Sequence, residues 1–283
     1  MTADANHCAF VEGIAFWSPR LADWETARAI LRGDQSAPQT SAARPTPLLL
    51  PANERRRVPD SVAIALEVGN QACTNAGIDP KSLPSVFAST HGDLAVTDYM
   101  CETLAHSPTL LSPTKFHNSV HNAPAGYWTI STGCLKRYNA ISAGQRTFAE
   151  GLFGALVEVA ADQDRVLLVA YDIEARGPLA TMAPSTGMLA VALVLSAVEC
   201  ARTRSRIDWR TRSAATIAQS ATHPRNAALF AGNAMSACVP LFEALAADGK
   251  RELTFALGQQ LALDVDIEPD VDKPVAGLAT EIG

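Results

Sequence analysis

Two histidines four residues apart, His117 and His121, stand ahead of a cysteine, Cys134, in the stretch FHNSVHNAPAGYWTISTGC, residues 116–134. A thiol with an imidazole in reach can do acyl transfer: the base takes the proton, the thiolate attacks a carbonyl, and an acyl thioester forms. On this reading the chain is an independent acyltransferase or thioesterase-like enzyme, with Cys134 as nucleophile and His117 or His121 as base. The opposite reading makes Cys134 a small buried hydrophobe, the usual behaviour of a free cysteine. A metal pair is a third use for the two histidines. No further ligand stands at a suitable spacing, so no metal is expected. His91 and Asp93, in THGD, fall at the end of a strand and read as turn residues.

Which reading holds depends on the elements that must position these side chains. Residues 36–60 are rich in proline and small polar residues and predict an irregular excursion. A helix follows, capped by Asp60 or Ser61, with Val62, Leu66, Gly69, Cys73 and Ala76 on one stripe and Gly77 as its left-handed stop. SVFAS (85–89) reads as a short buried strand. A second helix runs from about Gln145 to Ala161, with Phe148, Leu152, Ala155 or Leu156, and Val159 inward. RVLLVAY (165–171) and MLAVALVLSAV (188–198) are continuous apolar runs of the kind found in strands covered on both faces. Residues 235–247 read as a helix. ELTFALG and QQLALDVDI follow, and in the second Leu261, Leu263, Val265 and Ile267 alternate as in a half-buried strand. Helices interleaved with apolar strands indicate a layered α/β domain.

The bulk composition narrows the function classes. With 48% hydrophobic and 18% charged residues the 283-residue chain is globular, and its net charge of −6 gives no basic footprint for nucleic acid. The longest apolar run is too short for a membrane span. The six cysteines form no C-x-x-C pair, and the start has no signal-peptide pattern, so a reduced, cytoplasmic protein is expected. No cofactor is expected, because the glycine-rich nucleotide motifs and the G-x-S-x-G elbow are missing.

LSPTKFHNSVHNAPAGYWTIS resembles the β-ketoacyl synthases of the thiolase superfamily. There a proline-rich entry, a short strand and an N-x-x-A-G-x-x-S-I segment lead to the active-site cysteine; here the segment is Asn122, Ala125, Gly126, Thr129 and Ile130. The family's nucleophile follows a strand and opens a helix. Cys134 comes only 12 residues after Asn122, too early for that spacing. Gln145, 23 residues after Asn122 and 20 before Arg165, fits from both sides, with Ile141, Ser142, Ala143 and Gly144 in place of the strand that delivers the cysteine. The family's two catalytic histidines are missing as well: there is no H-G-T-x-T motif, and GNAMSACVPLFEAL puts Asn233 where the second histidine would open its helix.

Glutamine at the nucleophile position is similar to the chain-length-factor subunits that pair with active ketosynthases, most of all those of aryl polyene clusters. The resemblance implies a thiolase-like layered fold of two mixed sheets with helices between and outside, shortened relative to full ketosynthases between 172 and 230. It implies one domain over 1–268, with halves at about 8–174 and 187–268 and a tail at 269–283. It implies a non-catalytic subunit in a heterodimer with an active β-ketoacyl synthase, meeting acyl carrier protein through that complex. In such dimers the stretch matching Phe116, His117, Ser119, Val120 and His121 crosses the interface and lines the partner's acyl tunnel. Simple packing within the interface is the competing role for these five residues. Some chain-length factors are proposed to use the glutamine in decarboxylation, a minor role to weigh for Gln145.

Overall fold

The computed structural model describes residues 7–42 and 44–269. The tail expected at 269–283 therefore lies, apart from Pro269, outside the described residues. Eight strands form one mixed sheet in the order β3-β2-β4-β5-β1-β6-β8-β7. They are β1 (His7–Trp17), β2 (Ser85–Ala88), β3 (Tyr138–Ile141), β4 (Arg165–Asp172), β5 (Leu189–Ser196), β6 (Ser205–Ser213), β7 (Arg251–Ala256) and β8 (Leu261–Pro269). β2 runs parallel to β3 and β4, and the remaining pairings are antiparallel.

β1 joins the two arms. Its first residues, His7–Val11, pair with β6, and Phe10–Trp17 pair with β5, with a register shift between Val11 and Gly13. The two sheets expected from the sequence are thus continuous through this strand. Gly13 is needed here: a Cβ would sit 2.2 Å from the carbonyl oxygen of Ala72. Glu12, at the irregularity, is fully buried and held by the Arg165 guanidinium at 2.9 and 3.1 Å. Burial pushes its carboxyl up, but Arg165, Cys200 and Arg202 outweigh this and hold it below the ordinary range.

The helices are α1 (Trp24–Arg32), the single turn α2 (Ala52–Arg55), α3 (Asp60–Ala76), α4 (Leu94–His106), α5 (Pro113–Asn118), α6 (Ala123–Thr132), α7 (Thr147–Asp162), α8 (Pro224–Phe230) and α9 (Val239–Ala246). α3 and α6 cover one face with a core that includes Leu66, Phe87, Trp128 and Tyr171. α7, α9 and α1 share the other core. α7 touches both arms: Gly151 backs onto Ala88 of β2 and Leu168 of β4, while on the other arm the Phe148 ring meets Phe255 of β7 at 5.8 Å and Phe153 meets Trp209 of β6 at 6.0 Å, both edge to face. It is a helix held between two arms of the sheet, which is the layering expected.

Several local expectations change. Gly77 stops α3 at φ 63°, as its position required. Asp60 is instead the first helical residue and pairs with Arg44, while the Ser61 hydroxyl donates to Asp93 at 2.9 Å. α7 begins at Thr147, because residues 144–146 form a tighter 3-10 turn. Leu261 lies exposed, whereas Leu263, Val265 and Ile267 are buried with Ala262 and Asp264. Residues 116–121 form no strand: Ser112 caps a helix that Pro113 pre-sets, and a turn leads on into α6. TISTGC is the end of α6, closed by Gly133 at φ 67°.

Candidate functional site

The parallel strands β2, β3 and β4 end side by side, and their following loops carry the polar groups of interest. Asp172 closes β4 and is fully buried. Its carboxylate accepts from the Ser89 hydroxyl at 2.9 Å and from the backbone N–H of Thr90 and His91 at 3.0 and 3.1 Å. Ser89 Oγ in turn accepts from Gly92 N at 2.9 Å, so one carboxylate organises the turn after β2. Burial pushes the Asp172 carboxyl up and these donors only partly offset it. Ser142, after β3, donates to Thr90 O at 3.0 Å and ties the third strand end to the same turn. His121 Nε2 donates to Ser89 O at 2.8 Å, which fixes its ring.

Gln145 sits in the 3-10 turn between β3 and α7, exposed, with its amide unpartnered among the described residues. Gly144 turns the chain at φ 58°. Thr147 Oγ1 then accepts from Ala143 N at 2.9 Å and donates to Gly144 O at 2.7 Å, which locks the approach to the 16-residue helix. The backbone thus presents residue 145 at a helix N-terminus, where an anion or thiolate is favoured. The side chain there is an amide, which forms no thioester.

Asn233 is buried at the same strand ends. Its Nδ2 donates to Thr186 O at 2.9 Å and Asp172 O at 3.4 Å, and its Oδ1 accepts from Met235 N at 2.9 Å. Both ends of this amide are engaged in holding the loop ahead of α9.

The structure separates Cys134 from the histidines. The thiol is buried at the C-terminal end of α6 and donates to Leu83 O at 3.3 Å. His121 precedes the other end of this ten-residue helix, a length of about 15 Å. His117 lies edge-on to Tyr127, in the middle of that helix, at 5.9 Å. The nucleophile–base pair of the acyltransferase reading is not assembled.

Of the proposed tunnel or interface residues, Phe116 and Val120 are 58% and 48% exposed. His117 is exposed beside them, and the Ser119 hydroxyl folds back onto Phe116 O at 2.8 Å. With Ile130 (77% exposed) and Leu135 (97%), they give α5, α6 and the loop after it an apolar outer surface. That surface leads into β3, which pairs only with β2 and has its other edge open among the described residues. A cavity of about 650 Å³ lies next to this region, lined from α5 by Ser112, Thr114, Lys115 and Asn118 and by none of the five. Among the described residues no group of three metal-ligating side chains exists, and no helix is long and apolar enough to cross a membrane.

A family model for the β-ketoacyl synthase N-terminal domain matches residues 23–255, most of the chain. The protein belongs to that family. The solved structures agree in fold. A ketosynthase (ApeO) in complex with its chain length factor (ApeC), from Xenorhabdus doucetiae, superposes with TM-score 0.67 at 20% identity, covering 95% of this chain and 100% of that one. The ishigamide ketosynthase/chain length factor gives TM-score 0.69 at 12% identity, over 92% and 99%. AntDE:AntF, a type II acyl-carrier protein in complex with its ketosynthase bound to the hexaketide, gives 0.70 at 10%, over 94% and 100%. No curated protein matches by sequence. Within this ketosynthase-like fold, Ser89 and Asp172 are the polar residues that sequence reasoning missed, while Ser142 entered it only as part of the segment before Gln145. The one available signal was an aspartate directly closing the apolar run RVLLVAY.

Proposed function

We propose that this chain is a non-catalytic, chain-length-factor-type subunit that pairs with an active β-ketoacyl synthase and shapes its acyl tunnel, as in aryl polyene or related polyketide assembly. The observation that carries this reading is Gln145: a ketosynthase-like fold presents an amide, exposed at the start of α7, at the place the family spacing gives to the nucleophile. Asn233, with both ends of its amide engaged, supports it from the second catalytic position. The partner surface is the open edge of β3 with the exposed side chains of α5, α6 and the turn between them beside it, including Phe116, His117, Val120 and Ile130. Stable interfaces of this kind are large and apolar. Acyl carrier protein reaches the subunit through the complex.

Co-expression with a ketosynthase from the same biosynthetic cluster, followed by size-exclusion chromatography and intact-mass analysis after incubation with acyl-loaded carrier protein, tests the reading. A one-to-one complex in which only the ketosynthase gains the acyl mass is the expected result. Acylation of this chain itself would overturn it.

A further inference from the structure

The 650 Å³ cavity is separate from Gln145 and Asn233, neither of which lines it. Val58, Val96, Ile173 and Met188 give it an apolar wall, and Arg57, Lys115 and Arg176 face it with Asp60, Asp93 and Glu174. Three cations and three carboxylates look balanced until their partners are counted. Asp60 is paired at 2.6 Å with Arg44, which is not part of the lining. Asp93 accepts from Val96 N at 3.0 Å as the cap of α4, and from Ser61. Glu174 stands 3.6 Å from Arg176. Arg57 and Lys115 have no carboxylate among the described residues, and the Lys115 ammonium lies only over the Tyr99 ring, 5.4 Å from its centre. The carboxylates are engaged and two cations, Arg57 and Lys115, are left over at the lining of a space with an apolar wall. The long helices α3 and α4 also begin here, adding positive potential of the same sign.

We propose that this cavity binds a small amphipathic anion, a carboxylate or phosphate head held between Arg57 and Lys115 with an apolar body against Val96, Ile173 and Met188. The volume suits a small organic ligand. The guanidinium fork matches the planar or tetrahedral oxygen pair of either head group, and the lysine adds a point charge.

Calorimetric titration of the full chain, alone or in its complex, with octanoate, octyl phosphate, octanol and inorganic phosphate tests the site. At least one octyl anion is expected to bind saturably, one per chain, with octanol and inorganic phosphate each at least tenfold weaker. The stronger of octanoate and octyl phosphate identifies the head group. Arg57→Gln with Lys115→Gln should weaken the anion at least tenfold at an unchanged melting temperature, and Ala95→Trp, which fills the space, should abolish binding. No saturable binding of either anion, inorganic phosphate binding as tightly as octyl phosphate, or the double variant binding like the parent would each overturn the proposal.

Discussion

Residue 145 is where the sequence reading and the backbone geometry can be tested together. A thiol at the start of a helix is stabilised as thiolate, and its reactivity rises accordingly. Gln145→Cys should therefore alkylate with iodoacetamide near neutral pH faster than the exposed Cys8 and Cys101, by about tenfold. A rate no higher than theirs would mean that α7 does not activate this position and that the nucleophile register is wrong. Asp172 gives a second test at this scale. Its folded carboxyl lies above the ordinary range because burial outweighs the Ser89, Thr90 and His91 donors. A raised carboxyl contributes stability that is fully present below the unfolded value and is lost as pH rises through the folded one. Asp172→Asn does not titrate, so its cost in urea denaturation should be largest in acid and shrink as pH rises from the ordinary carboxylate range. A cost that grows with pH would show that the hydrogen bonds, not burial, dominate. Its place at the end of RVLLVAY was the one local mark of this carboxylate; its partners lie more than 80 positions away.

At the scale of elements, α7 carries the architecture because it touches both arms of the sheet. Phe148 is 1% exposed and bridges to Phe255. Phe148→Ala should cost about 3–5 kcal/mol, read as a lowered denaturant midpoint. A loss below about 1 kcal/mol would mean that the arms are held together elsewhere. This helix was legible because five apolar side chains recur at helical spacing, and β4 and β5 because unbroken apolar runs fit only strands covered on both faces. α5 was not legible in the same way. Its six residues are too few for a period to show, and the family likeness pointed to a strand; Ser112 and Pro113, a cap and a first-turn proline, were the local signal that decided for a helix. Continuity of the sheet through β1 was also hidden, because it depends on a register shift at Glu12 and on Gly13 clearing Ala72, both long-range facts.

For the whole molecule the question is what covers the outer side of α5, α6 and β3. Ile130 and Leu135 expose most of their surface, and Gly126, in the middle of α6, has open space where a side chain would stand. A helical glycine costs about 0.5–1 kcal/mol relative to alanine and adds nothing to the core here; in the proposed heterodimer it would let the partner approach closely. Surface substitutions away from packing leave stability within about 0.5 kcal/mol. Ile130→Asp with Leu135→Asp should therefore leave the melting temperature of the isolated chain nearly unchanged. The same pair should abolish co-elution with the ketosynthase, because two carboxylates would be buried unpaired at the contact. Unimpaired co-elution would move the interface to another face of the sheet. A large drop in melting temperature of the isolated chain would instead make these side chains part of its own packing, and the open edge of β3 would need another explanation.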